Sequence, residues 1–355
     1  MSASPGRDCL STFLGSAELA RLLGEIGPLG CLDIGARGGI VEDIRPLGKA
    51  SAVYGFEPDA DACRRLNEES SRGGHPFGLL RYLPVALGPG EAERELNLMR
   101  HPGASSILPP DPSFACRFAA RSAYFEIART IKVDTRPLDR VIEEQGIANP
   151  VYMKIDVEGF ELEVLNGAER LLASNLLALR AEIAFTPVRI GQPDFGTLAA
   201  YLKRFGFMPM GFLYLANWRT LTAVKHPRKI GGPIPYSRGQ MIHGDVLFLK
   251  DPRTLDRESE EAVTAKLRLA CLALLYDYVD FAHDIFKEPE VAARLRRLLG
   301  DDGIAALATA SRHLARRHDR GALRHWARNL AKRVTAELRY ALVRKPATAA
   351  DRPQR

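Results

Sequence analysis

Hydrophobic and polar positions along this chain follow two alternating periods. LGCLDI (29–34), SAVYGF (51–56), VYMKI (151–155) and LLALRAEIAF (176–185) are short apolar, β-branched runs of the kind that form buried strands. GSAELARLLGEIG (15–27), DADACRRLNEESSR (59–72), FELEVLNGAERLL (160–172) and GTLAAYLKRFGF (196–207) carry apolar residues at helical spacing, and Asp59 is placed to cap the second of them. LLRYLPVALG (79–88), ERELNLM (93–99) and the start of IKVDTRPLDRVIEEQG (131–146) predict further strands, the last followed by a helix. GFLYLANWRTLTAV (211–224) and MIHGDVLFLK (241–250) predict a closing antiparallel pair. Strands alternating with helices imply a mainly parallel sheet covered on both faces, an α/β architecture.

After about residue 254 the pattern changes to Ala/Leu/Arg-rich helix with breaks at Pro289, Gly300 to Gly303 and Gly321. The expected organisation is a helical lead-in (1–28), an α/β domain (29–250), a helical extension (251–345) and a disordered tail (346–355). Within the extension, Leu323, Trp326, Leu330, Val334, Leu338 and Leu342 recur every three or four residues between arginines, a basic amphipathic helix.

Charge sharpens that division. The net charge is +7, but from Arg312 onward 13 Lys/Arg face 3 Asp/Glu, so the rest of the chain is slightly acidic. The basic helix fits docking on its own domain, self-association with a second copy, or an anionic membrane or glycolipid surface. Without interleaved stacking aromatics it does not fit nucleic acid. Five scattered cysteines without a CxxC fit reduced thiols, and no apolar run approaches a membrane span. The first thirty residues hold Asp8, Glu18 and Glu25 and lack the apolar core of a secretory signal. The expected location is cytoplasmic, with peripheral attachment at the inner membrane face open to the basic helix.

The candidate chemistry lies where strands end. Asp33, Gly35, Ala36, Gly38 and Gly39 in CLDIGARGGI form a glycine turn that ends the first strand and opens a helix, and Glu57–Pro58 close the second strand about 20 residues on. An acidic residue two before the first glycine disfavours a dinucleotide pyrophosphate and suits the ammonium of S-adenosylmethionine (SAM), while Glu57 suits ribose hydroxyls. An NAD-type dehydrogenase is therefore the weaker alternative. KIDVEG then gathers Lys154, Asp156 and Glu158 at the carboxyl end of another strand, the edge at which open α/β sheets bind ligands.

LDIGARGG, YGFEP and KIDVEGFELEVLNGA, in this order and spacing, resemble the FkbM family of SAM-dependent methyltransferases, and the resemblance extends through EIAFTPVRIGQPDFG to SRGQMIHGDVLFLK, about residues 29 to 250. It implies a Rossmann-like class I methyltransferase fold with a closing antiparallel strand. It also implies a SAM site of Asp33, Gly35, Ala36, Gly39, Glu57, Pro58 and Ala86, and methyl transfer to a hydroxyl of a sugar or glycan-type acceptor. Arg37 stands where the family often has a neutral residue. Methylation of another small molecule or a lipid, and a non-catalytic module scaffolding glycan assembly, are the alternatives.

An alcohol needs a base nearby to lose its proton near neutral pH. Asp156 is the first candidate. Lys154 shares its face, and Glu158 serves either the reaction or the dipole of the helix that follows. Glu182 and His243 also fall near strand ends and join the catalytic candidates. Asp156, Glu182 and Asp245 form a candidate set for a divalent cation such as Mg²⁺. Ser105, Ser106 and His101, in a loop of small residues, are candidates for contact with cofactor or acceptor.

Overall fold

The structure, a computed structural model, describes residues 17–218, 239–255 and 259–301. The basic amphipathic helix, the tail, the first sixteen residues and the second half of 211–224 lie outside the described residues.

Seven strands form the central sheet: β1 (Leu29–Ile34), β2 (Ser51–Phe56), β3 (Leu79–Leu83), β7 (Pro150–Ile155), β8 (Ala178–Ala184), β9 (Phe207–Trp218) and β10 (Gln240–Lys250). Their order is β3-β2-β1-β7-β8-β10-β9; the first five run parallel, and β10 lies antiparallel to both β8 and β9. This is the expected Rossmann-like class I methyltransferase topology with its closing antiparallel strand. The chain winds outward from β1 to β3 and then restarts at β7 on the other side of β1. The crevice where the strand order reverses opens between the carboxyl ends of β1 and β7.

The sheet has two unlike faces because side chains alternate along each strand. Leu32, Ile34, Met153, Ile155, Leu179, Ala181, Ile183, Val246 and Phe248 point to one face and pack with Leu138, Val164, Leu165, Leu198 and Leu202 from the covering helices. On the other face Cys31, Tyr152, Ala178, Leu247 and Leu249 meet Leu22 and Leu23 of helix Ala17–Glu25 and the helix Glu260–Leu275. Further along that second face the same parity brings Asp33, Lys154 and Arg180 into one row, as register partners across β1, β7 and β8. The core therefore ends in a polar row just at the carboxyl edge.

Three expected elements differ in form. The glycine turn leads into 3-10 turns (Glu42–Ala50) with Pro46 inside them, since proline cannot sustain an α-helical interior. The helix expected over 160–172 is two short ones, Glu161–Asn166 and Glu169–Ala173. They break at Gly167, where a Cβ would stand 2.1 Å from the Gly88 carbonyl. β4 (Ala86–Leu87), β5 (Ala92–Met99) and β6 (Ile127–Arg136) leave the main sheet and form a second one in the order β4-β6-β5. The exposed residues along much of β5 and β6 explain why: these strands lack the apolar faces of a central strand.

The composition shift near residue 254 marks a change of secondary structure, and the core runs across it. Helix Glu260–Leu275 begins on an N-cap at Ser259, whose side chain accepts from Ala262 N, and buries eleven of its sixteen residues against β1, β7, β10 and its helical neighbours. Lys266, buried in that layer, pairs with Glu288 at 2.6 Å. Replacing the fully buried Leu272 by alanine should cost about 3 kcal/mol. Urea unfolding followed at once by near-UV and far-UV circular dichroism should show one transition moved as a whole. Two separated transitions would mean the helices form a unit of their own.

Candidate active site

The crevice is built from the turn outward. Gly35 has φ +84°, and a Cβ there would sit 1.9 Å from the Asp156 carbonyl oxygen, so only glycine lets β1 and β7 end this close together. Asp156 N donates to Ile34 O at 3.0 Å and ties the two strand ends. Gly39 has φ +91°, and at Gly38 and Gly39 nothing lies within 4 Å of where a Cβ would stand, leaving open space beside the turn.

Lys154 occupies the centre. Its ammonium lies 3.3 Å from Asp33 Oδ1 and 3.5 Å from Asp156 Oδ2, and donates to Gly35 O at 3.3 Å. Burial alone would lower its pKa; the charges of Asp33 and Asp156 outweigh burial, and the net direction is up. The ion pair expected between Lys154 and Asp156 is present. Asp33 is tied to the protein's own groups. Its side chain is 1% exposed, its Oδ2 accepts from Val41 N at 2.7 Å, and its other oxygen faces Lys154. The ammonium beside this carboxylate is thus the protein's own, because a buried carboxylate needs a permanent partner. Burial, opposed by Lys154, still holds the Asp33 pKa up.

On the other side of the turn, Glu57 is buried at the end of β2 and accepts from Asp59 N at 2.8 Å. Burial raises its pKa. Asp59 caps helix Ala60–Ser71 as expected, taking hydrogen bonds from Asp61 N and Ala62 N. Arg37 is accounted for by a 3.3 Å ion pair with Asp59, which straps the glycine turn to that helix. Gly35 N and Ala36 N both donate to Phe56 O, so the turn folds back over β2 beside Pro58. Ala86 lies apart, buried in β4 and paired with Thr135 in the second sheet.

KIDVEG continues as a strained turn. Glu158 has φ +57° and Gly159 φ +103°, so Glu158 does not sit on the dipole of the next helix. That place belongs to Glu161, whose Oε1 accepts from Val157 N at 2.9 Å and Gly159 N at 3.1 Å. Glu158 instead pairs with Arg189 Nη2 at 2.9 Å, and Arg189 also donates to Ala104 O at 2.6 Å. Ser106 Oγ donates to Glu158 O at 2.8 Å, while Ser105 bonds within its own loop, to Pro102 O. His101 stacks on Tyr124 with ring centroids 4.1 Å apart. Loop 101–111 is therefore pinned to KIDVEG and to loop 185–190, through Arg189 and the bonds Asp111 N to Val188 O and Ile190 N to Pro109 O.

Glu182, on β8, bonds His243 Nδ1 at 2.8 Å, so the two expected residues meet. Asp245 does not join them. It pairs with Arg180, which also holds Asp43, because the guanidinium spans from β8 to both acids. The metal set expected from sequence is corrected accordingly: carboxylate oxygens of Asp156, Glu158 and Glu182 lie within 4.8 Å of one another. Such oxygens suit Mg²⁺, yet a cation here would compete with Arg189 for Glu158 and with His243 for Glu182. Arg189, Arg180 and Glu161 carry no sequence role; Arg189 lies in a loop, where neither period applies.

With this geometry in place the family is defined. The methyltransferase FkbM domain matches residues 33–209, and through that segment the chain belongs to the FkbM methyltransferase family. Among solved structures it is similar to the methyltransferase FkbM from Methylobacillus flagellatus KT. The two are 17% identical over 62% of this chain at a TM-score of 0.35, and the match spans only 43% of that chain. It is also similar to the magnesium protoporphyrin IX methyltransferase from Synechocystis PCC 6803 with bound SAM, at 11% identity over 69% of this chain and 81% of that one, with a TM-score of 0.32. Both likenesses are remote. No curated protein sequence matches.

The acids of the site are crowded. Burial and the Asp156 charge, opposed by Arg189, push Glu158 up to about 7; burial pushes Glu161 up to about 7 against its backbone donors. Glu182 is raised well above the ordinary range by burial, then by Glu158, Asp156, Glu161 and Asp245. Raised folded-state values mean the native state holds more protons than the unfolded chain above about pH 4.5. The stability these acids contribute is therefore full below that pH and is lost as pH rises through about 7. The midpoint of thermal unfolding should fall by roughly 5 °C between pH 5.5 and 8.5, and Glu182→Gln should flatten the fall. A midpoint that rises across this range would contradict the protonated cluster.

Proposed function

We propose that the protein is a SAM-dependent O-methyltransferase acting on a hydroxyl of a sugar or glycan-type acceptor. The observation that carries this reading is Lys154 holding Asp156 at the switch point, beside the open glycine turn and Glu57. Among the described residues only Asp59 N bonds the Glu57 carboxylate, which leaves its other oxygen for a ribose hydroxyl. Gly35, Ala36 and Gly39 with Pro58 form the rest of the cofactor wall, and Asp33 supports it from beneath through Val41 N and Lys154.

SAM supplies a methyl group on a positively charged sulfur, which departs as a neutral thioether. The chain's own part is to hold and deprotonate the acceptor. Asp156, with 38% of its side chain exposed, is the most exposed of the acids gathered at this edge among the described residues. It receives the hydroxyl proton as the oxygen's electron pair forms the new bond. Lys154, 3.5 Å away, holds Asp156 in place. Glu158 and Glu182, biased toward their protonated forms, donate or accept hydrogen bonds at neighbouring oxygens without adding full charge. The sugar class is supported by the family resemblance and by this density of hydrogen-bonding groups.

Calorimetric titration with S-adenosylhomocysteine should give a Kd of roughly micromolar, weakened at least about tenfold in Glu57→Ala. Equal affinity in both proteins would remove Glu57 from the cofactor site, and no binding to the wild type would defeat the assignment. Asp156→Asn should bind S-adenosylhomocysteine as the wild type does. Its methyl transfer to a panel of glycosides, read with labelled SAM, should fall by about 10² to 10⁴. Wild-type rates would take Asp156 out of the mechanism.

A further inference from the structure

Beside KIDVEG lies a partly enclosed cavity of ≈ 40 Å³, walled by Glu158, Glu182, Arg189, His243, Trp218 and Tyr124 among others. One member of this wall is incompletely satisfied. The Arg189 side chain is 2% exposed; its Nη2 serves Ala104 O and Glu158 Oε2, while Nε and Nη1 are buried without a hydrogen-bond partner among the described residues. Buried guanidinium N–H groups left unpaired are costly, and natural proteins rarely keep them except where a ligand or water completes the set.

We propose that this cavity receives a second hydroxyl of the acceptor, adjacent to the one methylated, and that Arg189 selects acceptors carrying such a vicinal diol. This rests on the methyltransferase reading above and goes beyond it. The volume admits an oxygen or two and no ring, so the body of the acceptor stays at the mouth. Charge decides the kind of oxygen. Arg189 is already engaged by Glu158 at 2.9 Å, and a ligand carboxylate would add a further anion beside Glu158, Glu182 and Asp156, acids so crowded that two of them are already biased toward their protons. A hydroxyl fits both sides, accepting from Arg189 and donating to a carboxylate oxygen of Glu158 or Glu182. Asp156 lies outside the cavity wall, yet its carboxylate is within 4.8 Å of those of Glu158 and Glu182, so neighbouring hydroxyls reach both places. Arg189 is thus a positioning residue that fixes which of two adjacent oxygens meets Asp156.

The test uses two probes differing by one oxygen, trans-1,2-cyclohexanediol and cyclohexanol, titrated into the full chain with and without saturating S-adenosylhomocysteine. Trp218 lines the cavity and reports occupancy by fluorescence once the second tryptophan is removed by Trp326→Phe. The diol should bind at least about tenfold tighter than the alcohol, and in Arg189→Met that ratio should fall to about one. If Arg189→Met does not fold, Arg189→Lys decides: it keeps the charge on Glu158 but lacks the fork, and should lose the preference too. Equal binding of the two probes to the wild type, binding of neither, or a preference that survives both variants would overturn the proposal. Failure of S-adenosylhomocysteine to bind while the diol preference persists would count against the methyltransferase reading and leave the cavity's selectivity standing.

Discussion

A buried ammonium that must be paired organises this molecule. Lys154 sits between the ends of β1 and β7, and its partners Asp33 and Asp156 come from the two strands it separates. An unpaired charge in that position would cost several kcal/mol, so strand register, the closeness that requires Gly35, and the aim of Asp156 are all fixed together. Asp156, the acid proposed to take the acceptor's proton, is thereby positioned by the same contact that holds the sheet closed at its switch point.

From this pair the polar row spreads outward. Arg180 takes the next place across β8 and spends its guanidinium on Asp43 and Asp245, which engages Asp245 away from the proposed acceptor site. Glu182 is left facing His243, and Glu158, lifted by its left-handed backbone, faces Arg189. Each acid near Asp156 is therefore either paired or biased toward its proton. Asp156 stands out through exposure more than through any special partner.

Much of the fold was legible because strand and helix periods are strong where an element is buried on a full face. β1, β2, β7, β8 and the closing pair, and the Asp59 cap, fall where the pattern puts them. The excursion of β5 and β6 into a second sheet was not legible, since their half-exposed strands read like any others. At the site, the strand-end acids and Lys154 could be read from spacing along one strand. The pairing of Asp33 with Lys154 could not be read, because the two are 121 residues apart in sequence and only the register of β1 against β7 brings them together. Arg189 escaped for the same reason with less to go on: a loop has no period, and its partners Glu158 and Ala104 lie on two other loops.

The helix Glu260–Leu275 bears on the chemistry although it carries none of it. Together with Tyr276, whose hydroxyl bonds Asp43 at 3.2 Å and meets that of Tyr152 at 2.7 Å, it seals the second face of the sheet from water behind the polar row. Charges backed by such a layer act on one another through a medium of low permittivity. Substitutions on the hidden side of that helix would therefore register as altered proton affinities at the crevice, and the helical segment acts as an electrical insulator as much as a mechanical support.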